Sequence, residues 1–108
     1  MDKPYVIGID VGGTNTVVGI VDKRGQILIS GSIKTAKHAQ IENYLDELTE
    51  LINNLIGETT TKDQIKGIGA GTPNGNYFTG SIEFAPNLRW KGVIPFAQML
   101  EDLSLIHI

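Results

Sequence analysis

Near the amino terminus, two apolar, β-branched runs are separated by a glycine pair, and no other feature constrains the fold as strongly. The runs cover Tyr5–Val11 and Thr16–Val21. Two strand-like runs with so short a connection predict a β-hairpin. The simplest interpretation of Gly12 and Gly13 is a turn that needs residues able to adopt positive φ.

The polar residues around this turn support a second interpretation, a phosphate-binding loop. Gly12 and Gly13 have no Cβ, so a phosphate chain can approach the main-chain N–H groups, and successive N–H donors form an anion-binding concavity. Thr14 and Thr16 could add hydroxyl donors to the same loop.

Asp10 decides between the two interpretations. A carboxylate about 4 Å from a phosphate charge costs on the order of 4 kcal/mol at an effective dielectric constant near 20. A divalent cation between the two groups removes this cost, and Mg²⁺ is the usual companion of nucleotide phosphates. The stretch therefore favours a metal-nucleotide site over a plain turn.

Composition and charge limit the remaining possibilities. The 108 residues suffice for one domain, and 41% hydrophobic with 19% charged residues is ordinary for a globular protein. A net charge of −3 gives no basic surface for nucleic acid or anionic membranes. There is no cysteine and no apolar run that could span a membrane. We expect a cytoplasmic protein that binds neither nucleic acid nor membrane.

Further along the chain, periodicity predicts a third strand at Gln26–Ile33 and a helix over residues 40–56 that ends at Gly57. A buried, glycine-rich strand should follow in residues 65–71, then a turn at Pro73–Asn76. A short β segment at 77–84 and a short helix that begins at Pro95 complete the pattern. The helix is predicted from apolar residues at spacings of three and four, namely Ile41, Tyr44, Leu45, Leu48, Leu51, Ile52 and Leu55.

Neither common nucleotide-binding motif is present. The glycines of residues 67–75 do not fit the dinucleotide pattern, and no Gly-Lys-Ser/Thr sequence exists for a P-loop. A later loop contains Asn87, whose amide suits polyol hydroxyls, and Trp90, which offers a flat apolar face. From these residues alone, a loop-stabilising Asx turn and a core anchor explain Asn87 and Trp90 at least as well.

Three passages together resemble the ROK sugar kinases (repressor, open reading frame, kinase). The hairpin Ile7–Thr14 with Asp22 downstream resembles the family's first phosphate motif, and Gly67–Gly75 is similar to the strand and turn before its sugar site. Phe84–Trp90 looks like the sugar-contacting loop in the form typical of the family's glucokinases. The hairpin alone is shared with the wider sugar kinase, chaperone and actin superfamily.

The resemblance implies an α/β fold, the amino-terminal lobe of an actin-like ATPase (ribonuclease H-like). Its mixed sheet would consist of a β-meander followed by βα units, and residues 1–102 would form this lobe. ATP and sugar would meet in a cleft against a second lobe, which is missing from this sequence. The implied reaction is phosphoryl transfer from ATP to a hexose, most simply glucose to glucose 6-phosphate.

The resemblance also implies roles for individual residues. Asp10 would hold Mg²⁺ through water. The residues facing the ATP phosphates would be those of the hairpin turn, Gly12, Gly13, Thr14 and Asn15. Asn87 would bond sugar hydroxyls, with Asn74 and Gly75 nearby.

The sequence departs from the family pattern after the short helix. The family's general-base Asp, in a Glu/Thr-Asn-Asp-Ala-Asn segment, has no counterpart here, so no catalytic residue is expected in this chain and it should be inactive as it stands. The His and Cys zinc cluster belongs to the second lobe, so structural Zn²⁺ is expected only there. Residues 103–108 match the translation of a sequencing-library adapter, which predicts a non-native tail.

Two alternatives to a kinase stay open. A sugar-responsive repressor of the same family would need a DNA-binding module ahead of the hairpin, and only four residues precede the first strand. A non-catalytic sugar- or nucleotide-binding module would explain the missing base. The particular hexose and the oligomeric state are not determined by the sequence, although relatives of this kind are often homodimers.

Overall fold

The hydrophobic runs of the first third fold as an antiparallel meander. In the computed structural model, β1 (Tyr5–Val11) pairs with β2 (Asn15–Val21), and β2 pairs with β3 (Ile27–Lys34). The structure describes residues 3–60, 62–71, 75–76, 81–83, 93–94 and 98–101. The predicted site residues Asn74 and Asn87 and the tail 103–108 lie outside these ranges.

A crossover adds a parallel strand to the meander. The chain leaves β3 through a 3₁₀ turn (Thr35–Lys37), runs through α1 (Ile41–Thr59), and returns through a second 3₁₀ turn (Lys62–Gln64). It then enters β4 (Ile65–Gly71), which pairs in parallel with β1. The sheet order is β3-β2-β1-β4, the mixed sheet that was predicted.

Three short strands form a second, antiparallel sheet. They are β5 (Gly75–Asn76), β6 (Ser81–Glu83) and β7 (Val93–Ile94), in the order β5-β6-β7. Residues 98–101 are helical, as predicted for that part of the short helix.

The core lies between α1 and one face of the larger sheet. Strand alternation places every second residue of β1 and β2 on this face, and the apolar stripe of α1 covers them. No helix within the described ranges is long and apolar enough to cross a membrane. The buried apolar residues are Ile7, Ile9, Val11, Val18, Ile20, Tyr44, Leu45, Leu48, Ile52, Leu55, Ile56, Ile65, Ile68 and Leu100.

The opposite face of the sheet, here called the open face, stays accessible. Val6 and Val17 belong to it by alternation, and they are 39% and 46% exposed. Ile27 and Leu28 at the start of β3 are also exposed. The sheet is thus covered by α1 on one side only in the described part of the molecule.

Three details of the predicted secondary structure are wrong. The helix does not end before Gly57 but continues to Thr59, and the Thr60 N–H still donates to the Ile56 carbonyl at 2.8 Å. Gly57 is exposed and tolerates helical φ, so propensity alone does not end the helix while Leu55 and Ile56 before it remain packed. Gly75–Asn76, predicted as part of a turn, is strand β5 because it pairs with β6, and β7 was not predicted.

Candidate functional site

The glycine turn between β1 and β2 is closed by its own backbone. The Gly12 N–H donates to the Asn15 carbonyl at 3.0 Å, just beyond the last strand pair of Val11 and Thr16. A Cβ added to Gly12 would lie 2.8 Å from the Asn15 oxygen, closer than such contacts ever come. Among the described glycines, positive φ occurs at Gly25 (84°). Close backbone approach, rather than positive φ, therefore requires glycine at position 12.

Two successive backbone donors in this turn are available to a ligand. The N–H groups of Gly13 and Thr14 have no acceptor in the part of the chain that the structure describes. The Thr14 side chain is exposed, and its carbonyl accepts a hydrogen bond from the Ala36 N–H at 3.3 Å. Adjacent N–H groups of this kind form an anion-binding concavity. The Gly12 N–H, in contrast, is used inside the turn.

Asp10 lies at the end of β1, on the open face. It is exposed and sits between Val17 of β2 and Gly71 of the parallel strand β4. Asn15 is exposed on the same face by alternation. This edge of the sheet, at the carboxyl ends of parallel strands, is where α/β sheets bind ligands.

Several residues in the strands beside Asp10 are glycines, which carry no side chain. Gly8 pairs with Gly19 of β2 and with Gly69 of β4, so a row of three glycines crosses the sheet. Cβ atoms added to Gly8, Gly69 or Gly71 would meet no described residue within 4 Å, so no part of the described chain fills the space in front of these strands. A ligand can approach the carboxylate across this surface.

This arrangement fits a magnesium nucleotide. Mg²⁺ is usually bound by one or two carboxylates plus substrate phosphates and retains several waters, so Asp10 alone is a sufficient protein ligand. No cluster of three His, Cys, Asp or Glu side chains suited to a metal occurs among the described residues.

Thr16 does not contribute to the anion-binding loop, and its predicted role as a hydroxyl donor there is wrong. Alternation turns it away from Asp10 toward α1, where it is completely buried. Its Oγ1 shares hydrogen bonds with Thr35 Oγ1 at 2.6 Å and with Tyr44 Oη at 2.8 Å. Burial raises the pKa of Tyr44 to about 12, although the bond with Thr16 opposes this shift.

His38, which follows the first 3₁₀ turn, is held against α1. Its side chain is 12% exposed, and Nε2 lies 2.7 Å from Glu47 Oε1. Lys37 Nζ lies 3.3 Å from the other carboxylate oxygen of Glu47. The bond from His38, assisted by Lys37, holds the pKa of Glu47 below its ordinary value.

Of the three residues predicted to lie at the sugar, the structure describes one, Gly75. Gly75 lies in β5 opposite Ile82. The contacts predicted for Asn74 and Asn87 stay predictions, since both residues lie outside the described ranges. The described part of the predicted site is therefore Asp10 and the turn residues 12–15, together with Gly75.

The topology, with its carboxylate and glycine turn at one sheet edge, is that of the amino-terminal region of actin-like ATPases. A solved ROK family glucokinase from Streptomyces griseus, in complex with glucose and AMPPNP, superposes with a TM-score of 0.80 at 24% identity, covering 95% of this chain and 31% of that one. The ROK family model matches residues 6–106. The chain belongs to the ROK family.

Other relatives include both enzymes and a regulator. A glucokinase from Thermotoga maritima is 31% identical over 95 residues, which cover 86% of this chain and 29% of that protein. A ROK family transcriptional regulator, a homologue of the E. coli MLC protein, superposes with a TM-score of 0.78 at 13% identity, over 95% of this chain and 26% of that one. The chain spans between 25% and 29% of the length of the curated relatives that it matches.

Proposed function

We propose that this chain is the amino-terminal lobe of a longer, ATP-dependent hexose kinase that converts glucose to glucose 6-phosphate. The observation that carries the proposal is the exposed Asp10 carboxylate at the end of β1, followed in the turn by the N–H groups of Gly13 and Thr14, which have no acceptor among the described residues. The family match and the glucokinase relatives support the sugar-kinase part of this proposal. Glucose is the substrate named for the relatives, and it is proposed here on that basis.

Each part of the turn has a distinct task in this proposal. The N–H groups of Gly13 and Thr14 bind phosphate oxygens of ATP, and the side chains of Thr14 and Asn15 lie where they can extend these contacts. Asp10 holds Mg²⁺ through water. The ion, when bound, neutralises charge on the phosphates, which is the main electrostatic requirement of phosphoryl transfer.

The sugar half of the proposal follows the family resemblance. Asn87 would bond hexose hydroxyls, with Asn74 and Gly75 close to them. The base that removes the hydroxyl proton would lie beyond residue 108, so residues 1–102 would bind substrates without turning them over. Residues 103–108 are proposed to be non-native.

The setting of the complete protein is also a proposal. These 108 residues contain no cysteine, and both this and the use of ATP suit the reducing cytoplasm. The resemblance suggests a homodimer, and the net charge of −3 suggests no role for nucleic acid. The regulator among the structural relatives favours one alternative, a sugar-responsive transcriptional regulator that binds hexose without phosphorylating it.

The decisive experiment measures hexose-dependent ADP release by the product of the complete gene. Glucose, mannose, fructose and N-acetylglucosamine are supplied in turn with Mg-ATP. We expect turnover with glucose, and Asp10→Asn should lower kcat about a hundredfold because an electrostatic contact made to the transferring group is lost. Asp46→Asn, which removes an exposed carboxylate from α1, is the matched control.

Two results would contradict the proposal. The first is hexose binding without ADP release, which would favour the regulator. The second is an Asp10→Asn variant as active as the control.

A further inference from the structure

Behind the glycine turn, on the side away from Asp10, three buried hydroxyl groups form one hydrogen-bonded cluster. Thr16 on β2 bonds to Thr35 of the first 3₁₀ turn at 2.6 Å and to Tyr44 of α1 at 2.8 Å. Thr16 and Tyr44 are completely buried, and Thr35 is nearly so. This hydroxyl triad (Thr16, Thr35, Tyr44) thus joins three elements at a single point.

The triad is connected to the turn through two adjacent residues. Thr35 bonds the Thr16 side chain, and the next residue, Ala36, donates its N–H to the Thr14 carbonyl at 3.3 Å. The 3₁₀ turn therefore contacts the chain at positions 14 and 16, directly after the available N–H groups of Gly13 and Thr14. Tyr44 fixes the same point relative to α1.

Filling a core does not require hydroxyl groups. Valine has nearly the shape of threonine, and phenylalanine that of tyrosine, so apolar residues would occupy this space. A hydroxyl adds direction: Thr16 can donate to one partner and accept from the other, which fixes its rotamer and the start of β2. In a dry interior such bonds are strengthened and define one geometry.

We propose that Thr16, Thr35 and Tyr44 are positioning residues that hold the turn 12–14 in its anion-binding geometry. None of them touches the ligand, and they act through Thr14 and the start of β2. The proposal rests on the proposed kinase function only for the identity of the anion, the phosphates of Mg-ATP. It assigns the triad to the nucleotide and not to the hexose.

The test uses variants of the complete gene product that delete one hydroxyl at a time. Tyr44→Phe and Thr35→Val remove two members, Thr16→Val removes the third, and Thr16→Ser keeps the central hydroxyl. Tyr5→Phe is the matched control for tyrosine, since Tyr5 lies at the opposite end of β1. Thr49→Val is the control for threonine, because Thr49 Oγ1 is buried with no hydrogen-bond partner in the described part of the chain.

Two measurements separate positioning from general destabilisation. The first is amide hydrogen exchange of Gly12 and Ala36 without ligand, because these N–H groups bond across the turn. Loss of one net hydrogen bond should speed their exchange about fivefold. The second is steady-state kinetics, in which KM for Mg-ATP should rise about fivefold while KM for the hexose stays within twofold. Thr16→Ser should restore both values.

Each outcome decides a separate question. Unchanged exchange at Gly12 and Ala36 in Tyr44→Phe and Thr35→Val would overturn the inference, and so would equal increases of both KM values. A lower kcat with both KM values unchanged would indicate only a smaller folded fraction and would also overturn it. If the parent protein releases no ADP with any hexose, the proposed function fails, whereas the exchange measurement still decides the role of the triad.

Discussion

Asp10 and Thr16 show how strand alternation distributes the polar residues of one hairpin. Asp10 lies on the open face opposite Val17, whereas Thr16 pairs with Val11 on the face beneath α1. Both residues have side chains that could bind a phosphate or its metal. Only the Asp10 carboxylate is exposed to a ligand, because successive strand residues point to opposite faces and Thr16 points into the core.

Tyr44 should lose its proton at an unusually high pH, and the free energy of unfolding should therefore fall at alkaline pH. Its pKa is raised from 10.0 to about 12 by burial, so the unfolded chain loses this proton first. The free energy of unfolding gains its full contribution from Tyr44 below pH 10 and should lose it as pH rises toward about 12. Phenolate absorbance followed against pH should show a late component that disappears in Tyr44→Phe.

The control for this titration is Tyr5→Phe, which should leave the late component in place. Urea unfolding at both ends of the interval should show a smaller alkaline loss of stability in Tyr44→Phe than in the parent. A parent protein without the late component would contradict the burial of Tyr44 seen in the structure.

At the level of elements, α1 approaches the sheet most closely over β3. Gly31 pairs with Val18 and so lies on the covered face, where a Cβ would come within 2.9 Å of Leu51 Cδ1. The absence of a side chain on β3 therefore sets how near the helix can lie. The bond between His38 and Glu47 then fixes the amino-terminal part of α1 to the preceding turn.

Gly31→Val should overpack this contact and lower the free energy of unfolding by about 1–3 kcal/mol. The double variant Gly31→Val with Leu51→Ala should cost less than the sum of the two single changes. The difference should be about 1 kcal/mol, because the two side chains compete for one space. Urea denaturation of the four proteins measures the cycle. Gly8→Val is the control, because a Cβ at this position on the open face meets no described residue within 4 Å. Strict additivity would argue against the close approach.

The whole molecule has a sheet with two unequal faces. One face is sealed by α1, and the other exposes Val6 and Val17 beside the glycine row and Asp10. Exposed apolar surface of this kind promotes association in water. The same asymmetry leaves the Asp10 carboxylate exposed at the end of β1, near the N–H groups of Gly13 and Thr14 that have no acceptor among the described residues.

Val17 and Val18 give a paired test of this asymmetry, since they are neighbours on opposite faces. In the 108-residue chain, Val17→Thr should change the free energy of unfolding by no more than about 0.5 kcal/mol and should reduce binding of an apolar dye. Val18→Thr buries a hydroxyl in the core and should cost about 1–3 kcal/mol. Urea unfolding and dye fluorescence measure both effects. Equal costs for the two variants would contradict the assignment of faces.

Local pattern was sufficient to predict the hairpin, the meander and the amphipathic helix from sequence. Strand alternation and helical periodicity are properties of neighbouring residues, so Tyr5–Val11 and the stripe of α1 could be recognised without a partner. The residues that carry the nucleotide proposal, Asp10 and the glycine turn, were found in the same way.

Tertiary structure decided what depends on residues far apart in the chain. The bonds of Thr16 to Thr35 and Tyr44 span 19 and 28 positions, and no local pattern encodes them. Strand β5 exists because β6 pairs with it, and α1 extends past Gly57 while Leu55 and Ile56 stay packed. The sequence by itself determined which segments form elements and where a phosphate could meet bare backbone. Only the folded chain decided which hydroxyl groups face a ligand and which are buried, because burial depends on the element that packs opposite.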